Sequence, residues 1–87
     1  SLRRRIGVAI WPLANQATNS DAVVVGGWDN RALGWRSFVG SGSWNRADGE
    51  AAFIGGGMYN IVNGLRSTIC GGYIDSVYAS HGFIGGG

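Results

Sequence analysis

The residues of this chain that could carry catalysis are few. Asp48 and Glu50 form the one close carboxylate pair, two positions apart. Glycoside hydrolysis uses two carboxyl groups about 5 to 9 Å apart, and two residues on one strand face can meet that requirement. Arg46 lies in the same segment, however, and charged turns are common on protein surfaces. We therefore interpret this segment as a solvated turn with balanced charges.

His81 and Cys70 are the single histidine and the single cysteine. One cysteine excludes an intrachain disulfide, and the place of Cys70 among glycines predicts that it packs as a small residue. His81 takes a position held elsewhere by arginine, which predicts an exposed turn. The sequence contains no phosphate-binding loop, no paired metal ligands and no nucleophile elbow. We therefore expect no enzyme activity, no cofactor and no metal.

Aromatic and arginine side chains are the better candidates for binding. Trp and Tyr rings stack on sugars, and they also anchor protein interfaces at a small entropy cost. All seven basic residues are arginine, whose guanidinium binds carboxylate, sulfate or phosphate bidentately. The aromatics could serve a ligand or an interface, and the arginines could hold an acidic glycan or only solubilise the surface. The ligand-binding candidates are Trp28, Trp35, Trp44, Tyr59, Tyr73, Arg31 and Arg46.

Several partner classes are disfavoured by composition. A net charge of +2 is too small to favour nucleic acid. No stretch approaches the roughly 18 to 20 apolar residues of a membrane-spanning helix. Ice binding by a flat face would need threonine ladders, and the sequence holds only Thr18 and Thr68.

A repeat of 15 residues positions all these side chains. From residue 24 the sequence reads VVGGWDNRALGWRSF, VGSGSWNRADGEAAF, IGGGMYNIVNGLRST, ICGGYIDSVYASHGF and then IGGG. A fixed period of this kind is typical of a solenoid, in which each repeat forms one coil. The recurring positions are Val24, Val39, Ile54, Ile69 and Ile84; Gly27, Gly42, Gly57 and Gly72; and Asn30, Asn45, Asn60 and Asp75.

Each coil is predicted to contain two short strands joined by two tight turns. Apolar and small residues alternate at period two around Val62 and around Ile69, as in strands with one buried face. Glycines interrupt every window long enough for an ordinary helix. Gly64 and the run Gly55 to Gly57 are predicted to supply positive φ in the two turns. The expected interior is a ladder of Val and Ile facing Ala32, Ala47, Val62 and Val77, flanked by an Asn ladder.

The chain is predicted to be one domain with an irregular start. We assign residues 1–8 to an N-terminal lead-in strand, residues 9–23 to a degenerate first coil, and residues 24–87 to the glycine-rich solenoid repeats of a longer chain. In the degenerate coil Trp11 and Pro12 replace the glycine pair, and Asn19 replaces the glycine of the second turn. Asn tolerates positive φ better than most residues, so that exchange is mild.

The pattern Asn60-x-Val62-x-Gly64-x-x-Ser67-x-Ile69-x-Gly71 resembles the head repeats of YadA-like trimeric autotransporter adhesins. Strings such as SFVGSG, AFIGGG and GFIGGG are also similar to glycine-rich coils in bacteriophage and viral tail fibres, tailspikes and appendages. The resemblance covers residues 24–87 clearly and residues 9–23 weakly. It implies an all-β parallel β-solenoid, a left-handed β-roll, of which three copies pack around a threefold axis.

The resemblance also implies a function. The coil has one residue more than the usual autotransporter repeat and carries bulky Trp28, Trp35 and Trp44, which places it nearer to a viral fibre. We expect a structural and adhesive segment of a homotrimeric fibre on the virion surface, attaching to a host cell-surface glycan or protein receptor. The alternatives are the head of a bacterial adhesin on the outer cell surface, or a non-catalytic part of a polysaccharide-degrading tailspike.

Overall fold

A computed structural model describes residues 8–9 and 15–87 of the chain. The described residues form short strands and turns, and no helix among them is long and apolar enough to cross a membrane. The strands are β1 (Val8–Ala9), β2 (Gln16–Ala17), β3 (Val23–Val24), β4 (Arg31–Ala32), β5 (Phe38–Val39), β6 (Arg46–Ala47), β7 (Phe53–Ile54), β8 (Ile61–Val62), β9 (Thr68–Ile69), β10 (Ser76–Val77) and β11 (Phe83–Ile84).

The strands form two parallel sheets, which confirms the predicted solenoid. The odd-numbered strands make one sheet and the even-numbered strands the other, here named the odd sheet and the even sheet. Each strand pairs in register with the strand one repeat later, as Val24 does with Val39 and Ala32 with Ala47. A wide turn, such as residues 25–30, leads from the odd sheet to the even sheet, and a narrow turn, such as residues 33–37, leads back. One repeat of 15 residues is therefore one coil.

The core lies between the two sheets and is one side chain deep from each. Neighbouring residues of a strand point to opposite faces, so one residue of each strand points into the core. These inward side chains are Val and Ile in the odd sheet and mostly Ala and Val in the even sheet. This confirms both predicted walls. The fully or almost fully buried members are Val24, Val39, Ile54 and Ile69 of the odd sheet, and Ala32, Ala47, Val62 and Val77 of the even sheet.

A ladder of buried asparagines joins the coils along the wide turn. The Asn45 side-chain amide Nδ2 donates to the Ser41 carbonyl of its own coil at 3.0 Å and to the Gly57 carbonyl of the next coil at 2.9 Å. Its Oδ1 accepts the backbone N–H of Asn60 at 3.0 Å. Asn30 and Asn60 repeat these contacts. The predicted ladder is confirmed, and it satisfies turn carbonyls that would otherwise be buried without a donor.

The prediction for the narrow turn was wrong about which residue takes positive φ. The left-handed residue is not Gly34, Gly49 or Gly64, but the residue two positions later, such as Arg36 at φ 59° and Arg66 at φ 52°. In the first coil the left-handed residue is likewise Asp21, at φ 59°, and not the predicted Asn19. In the wide turn the predicted Gly57 has positive φ, but so does Tyr59, which is not glycine.

The left-handed residues have a common hydrogen-bond direction. Most backbone N–H groups donate to the following coil, as Arg46 N does to Asn60 O. Left-handed residues donate to the preceding coil instead, as Tyr59 N does to Ser43 O at 3.0 Å and Ala51 N to Trp35 O at 2.8 Å. A non-glycine residue in this conformation costs on the order of 1 kcal/mol. The hydrogen bond from the left-handed residue to the preceding coil, which recurs from coil to coil, offsets that cost.

Glycine is required in the narrow turn because the coils approach each other closely. A Cβ on Gly49 would overlap the carbonyl oxygen of Gly64 and lie only 2.8 Å from its carbonyl carbon. Gly34 and Gly64 face the same obstacle from the next coil. Glycine therefore recurs at this position because the backbones of neighbouring coils are in contact there, and not because the position needs a positive φ.

The N-terminal segment is described only in part. Strand β1 pairs with β3 through Val8 and Val23, and β2 pairs with β4 through Gln16 and Arg31. Trp11 and Pro12, proposed to replace the glycine pair, lie outside the described residues, as does most of the proposed lead-in strand. The division of the chain into these segments stays a prediction.

Asp75 breaks the asparagine ladder and offers a test of it. Its Oδ2 is buried without a hydrogen-bond partner, at the position where Asn residues of other coils place an amide donor. Asp75→Asn is expected to raise the free energy of unfolding by about 1 kcal/mol, because it restores that donor. The reciprocal change Asn45→Asp should lower the free energy of unfolding by about 2 kcal/mol. Urea denaturation measures both, and a stabilising Asn45→Asp would contradict the ladder.

The close approach in the narrow turn gives a second test, with a matched control. Gly49→Ala is expected to destabilise the chain by about 3 kcal/mol, because the new methyl group must displace backbone of the next coil. Gly56→Ala should change the free energy of unfolding by less than about 1 kcal/mol, since the atom nearest to its Cβ lies 3.7 Å away. Thermal unfolding of the two variants distinguishes them, and equal losses would disprove the steric explanation.

Candidate ligand-binding groove

An aromatic stack runs along the wide turns. The rings of Trp44 and Tyr59 lie parallel, with centroids 6.0 Å apart and planes 4° apart. Tyr73 meets Tyr59 edge to face at a centroid distance of 6.3 Å. All three side chains are between 44% and 58% exposed. Trp44 and Tyr59 hold the same position in successive coils, so the repeat places one ring above the other, whereas Tyr73 lies one position earlier in its coil, in register with Met58.

The backbone of the wide turn fixes the positions of these rings. Trp44 and Tyr59 both adopt left-handed conformations, at φ 60° and 59°. The Trp44 N–H donates to the Trp28 carbonyl at 3.0 Å, and the Tyr59 N–H donates to the Ser43 carbonyl at 3.0 Å. Each aromatic residue is thus held by the coil before it. A surface positioned by backbone hydrogen bonds loses little conformational freedom when it binds a ligand.

The stack forms one side of a shallow groove of about 200 Å³. Arg31 and Arg46, which are neighbours in the even sheet, supply much of the other side. The sequence predicted four of the lining residues: Trp44, Tyr59, Arg31 and Arg46. It did not predict the other three, Asp29, Asn45 and Ile61.

Both arginines of the groove are paired with carboxylates. Arg46 Nε donates to Asp48 Oδ2 at 2.9 Å, and Arg46 Nη2 lies 2.8 Å from the same oxygen. This hydrogen bond, together with the charge of Asp48, raises the pKa of Arg46 above its ordinary value. Arg31 Nε lies 3.6 Å from Asp29 Oδ1. The positive charge of the two guanidinium groups is therefore largely balanced, and of the two carboxylates only that of Asp29 lines the groove.

Three of the predicted ligand-binding residues do not line this groove: Trp28, Trp35 and Tyr73. Trp35 is in the narrow turn, on the opposite edge of the solenoid, where the Arg36 guanidinium lies 4.4 Å from its ring centroid. Trp28 shares its position in the coil with Tyr73, as predicted, but Ser43 and Met58 separate them. The structure thus divides the predicted aromatic set between two edges.

The remaining reactive residues are dispersed. Asp48, half of the close carboxylate pair, is bound to Arg46, which confirms the predicted charge balance, but its Oδ1 is buried without a hydrogen-bond partner rather than solvated. His81 is exposed in a narrow turn, as predicted. Arg36 and Arg66 hold the same position of the coil but do not stack, because Ala51 of the intervening coil lies between them. Cys70 is exposed rather than packed, since it points outward from the odd sheet. Among residues 8–9 and 15–87, no cluster of His, Cys, Asp or Glu could hold a metal ion.

A phenylalanine ladder on the odd sheet was missed by the sequence analysis. Phe38 and Phe53 stack with centroids 5.0 Å apart and planes 5° apart. Phe83 occupies the same position in its coil, and Thr68 lies between Phe53 and Phe83. The signal was present as phenylalanine directly before a buried Val or Ile, which places the ring on the outer face of the strand.

No family model matches the chain, and neither the curated proteins nor the solved structures that were compared with it yield a match. The class of the protein is therefore defined by its architecture. It is a parallel β-solenoid of 15-residue coils, with an aromatic groove along one edge.

Proposed function

We propose that this chain is an adhesive segment of a homotrimeric fibre that attaches to a glycan on a host cell surface. The observation that carries the proposal is the parallel stack of Trp44 and Tyr59 beside Arg31 and Arg46 in one groove. Aromatic faces bind the C–H faces of sugars, and guanidinium and carboxylate groups bind their hydroxyls. The resemblance to fibre and adhesin repeats supports the same function.

The balanced charge of the groove narrows the class of glycan. An acidic sugar would have to compete with Asp48 for Arg46 and with Asp29 for Arg31. Sugar hydroxyls need no such competition, because they can accept from the guanidinium groups and donate to the carboxylate of Asp29. Arg46 also keeps Nη1, which is not used in its bonds to Asp48. We therefore favour a neutral, hydroxyl-rich glycan over the acidic glycan that the arginines alone suggested.

Repetition supports attachment as the biological role. Single contacts between an exposed aromatic ring and a sugar are weak, but several copies of the chain in one fibre would multiply them. A virion fibre and a bacterial surface adhesin would both use this arrangement. We propose the virion fibre because of the coil length and the bulky Trp residues, and we propose no catalytic role for the chain.

Replacing the stacked rings tests this function. Trp44→Ala and Tyr59→Ala are each expected to weaken binding to neutral oligosaccharides at least tenfold, because each removes one ring of the stack. Trp35→Ala is the matched control, since it removes the same side chain from the opposite edge. Oligosaccharide arrays followed by titration of tryptophan fluorescence measure the affinities.

The outcomes separate a binding site from an interface. Equal losses for Trp35→Ala and Trp44→Ala would refute a groove-specific site. Preferred binding of acidic glycans would overturn the assignment to neutral sugars. The mass of each variant must be measured alongside, because a loss of oligomer in Trp44→Ala would assign the stack to packing between chains.

A further inference from the structure

The groove is built from three pairs of side chains, one pair from each of three successive coils. The first residue of each pair is the left-handed residue of the wide turn, and the second lies two positions later in the even sheet. Strands β4, β6 and β8 are in register, so the pairs follow one another at the strand spacing of about 4.8 Å. The pairs are Asp29 with Arg31, Trp44 with Arg46, and Tyr59 with Ile61.

The chemistry of these pairs changes along the groove. The first pair holds a carboxylate and a guanidinium group, with the Nε and Oδ1 atoms 3.6 Å apart, and the second holds an aromatic ring and a guanidinium group. The third pair has no charge, since Tyr59 supplies a ring and Ile61 an aliphatic side chain. The groove therefore runs from a charged end at Asp29 to a largely apolar end at Ile61, over about 10 Å.

Ile61 differs from the other side chains of its row. The outward residues of the even sheet are otherwise polar: Gln16, Arg31, Arg46 and Ser76. Ile61 is half-buried and pairs with Arg46 in the sheet. A single apolar residue on a surface is ordinary, but this one lines a groove together with the Tyr59 ring. The apolar end is thus formed from two coil positions, and the other described coils do not repeat it.

The buried member of the groove, Asn45, leaves no N–H group for a ligand. Its Nδ2 donates to the carbonyls of Ser41 and Gly57, and these bonds use both amide hydrogens. Hydrogen bonds to a ligand must therefore come from the arginines, from the Asp29 carboxylate and from the Tyr59 hydroxyl. The aliphatic side chain of Ile61 offers none.

These properties narrow the class of sugar that fits. A volume of about 200 Å³ is smaller than the roughly 300 to 1,000 Å³ of pockets for drug-sized ligands, so the groove holds a short piece of glycan. A sugar hydroxyl placed against Ile61 would lose its hydrogen bond to water without a replacement, which is costly. An apolar group of the sugar would instead be stabilised there. On a neutral sugar, such a group is the methyl group of a 6-deoxy sugar or of an N-acetyl group.

We propose that the groove selects a neutral sugar that carries a methyl group, which packs between Tyr59 and Ile61 while hydroxyls of the glycan bind Arg31 and Asp29. The proposal rests on the glycan binding of the proposed function and names the class of sugar. Ile61 is the specificity-determining residue, and the Trp44 ring contributes affinity for any sugar.

Matched pairs of sugars test the proposal. Albumin conjugates that carry many copies of one sugar are passed over the immobilised protein, because multivalent display makes weak contacts measurable. L-fucose with L-galactose and L-rhamnose with L-mannose test the 6-deoxy group, and N-acetylglucosamine with glucose tests the N-acetyl group. The wild type is expected to bind the methyl-bearing member at least fourfold more tightly in one of these two tests, since burying one methyl group contributes about that factor.

Ile61→Thr is the variant that tests the residue. Threonine keeps the β-branched shape that suits a strand but replaces part of the apolar surface with a hydroxyl group. It is expected to abolish the preference and to leave the affinity for the sugar without the methyl group nearly unchanged. Ile74→Thr is the matched control and should keep the preference, because Ile74 is 62% exposed and does not line the groove. Far-ultraviolet circular dichroism confirms that both variants keep the β-solenoid.

The outcomes distinguish this specificity from the proposed function. Equal binding of both members of every pair would overturn the methyl-selective site and leave a groove for neutral glycans standing. A preference that survives in Ile61→Thr would overturn the assignment of the methyl group to Ile61. Failure of every conjugate to bind would overturn the proposal alone if the oligosaccharide array is positive, and the proposed function with it if the array is also negative.

Discussion

The stacking of backbones at the spacing of one strand is the constraint on which the rest of this structure depends. Every coil must place its carbonyls under the N–H groups of its neighbour, and two features of the repeat make that possible. The Asn amide ties Ser41, Gly57 and the next Asn into one network, and the narrow-turn glycine lets Gly49 approach Gly64 without a Cβ between them. Both features act between neighbouring coils, so a change in either is expected to destabilise the stack.

The left-handed residues solve a second problem of the same stack. Most N–H groups donate to the following coil, while the chain turns between the sheets twice within 15 residues. One residue in each turn reverses its N–H toward the preceding coil, as Tyr59 and Ala51 do. The side chains at these positions are not packed in the core, so their types are free to vary. Trp44 and Tyr59 use this freedom to build the groove.

The solenoid divides its surfaces by chemistry. Among the described residues, the interior is apolar apart from the hydrogen-bonded Asn and Ser side chains and the carboxylate of Asp75, whose Oδ2 has no hydrogen-bond partner. The even sheet and the turns carry the described charges, and the described outer face of the odd sheet is uncharged. Because all strands are in register, a residue type chosen at one position becomes a stripe. One surface, such as the aromatic groove, can therefore vary in sequence without changing the other stripes of the chain.

Much of this fold was predictable from the sequence, because a fixed period places equal residues above one another. The Val and Ile wall, the Asn ladder, the two strands per coil and the Trp44 and Tyr59 stripe all follow from that period. The groove was predicted in part: its rings and arginines were recognised, but Asp29 and Ile61 were not. The Phe ladder was missed although Phe38, Phe53 and Phe83 recur at the same position of the coil.

The sequence by itself determined the period, the class of fold and the buried positions, since these depend only on residue spacing and polarity. The tertiary structure alone decided which turn residue is left-handed, since that depends on the coil to which each N–H donates. It also decided that Trp35 lies on the opposite edge from Trp44, and that Cys70 points outward beside the phenylalanine ladder. These features depend on the path of the backbone between the sheets, which one-dimensional spacing does not specify.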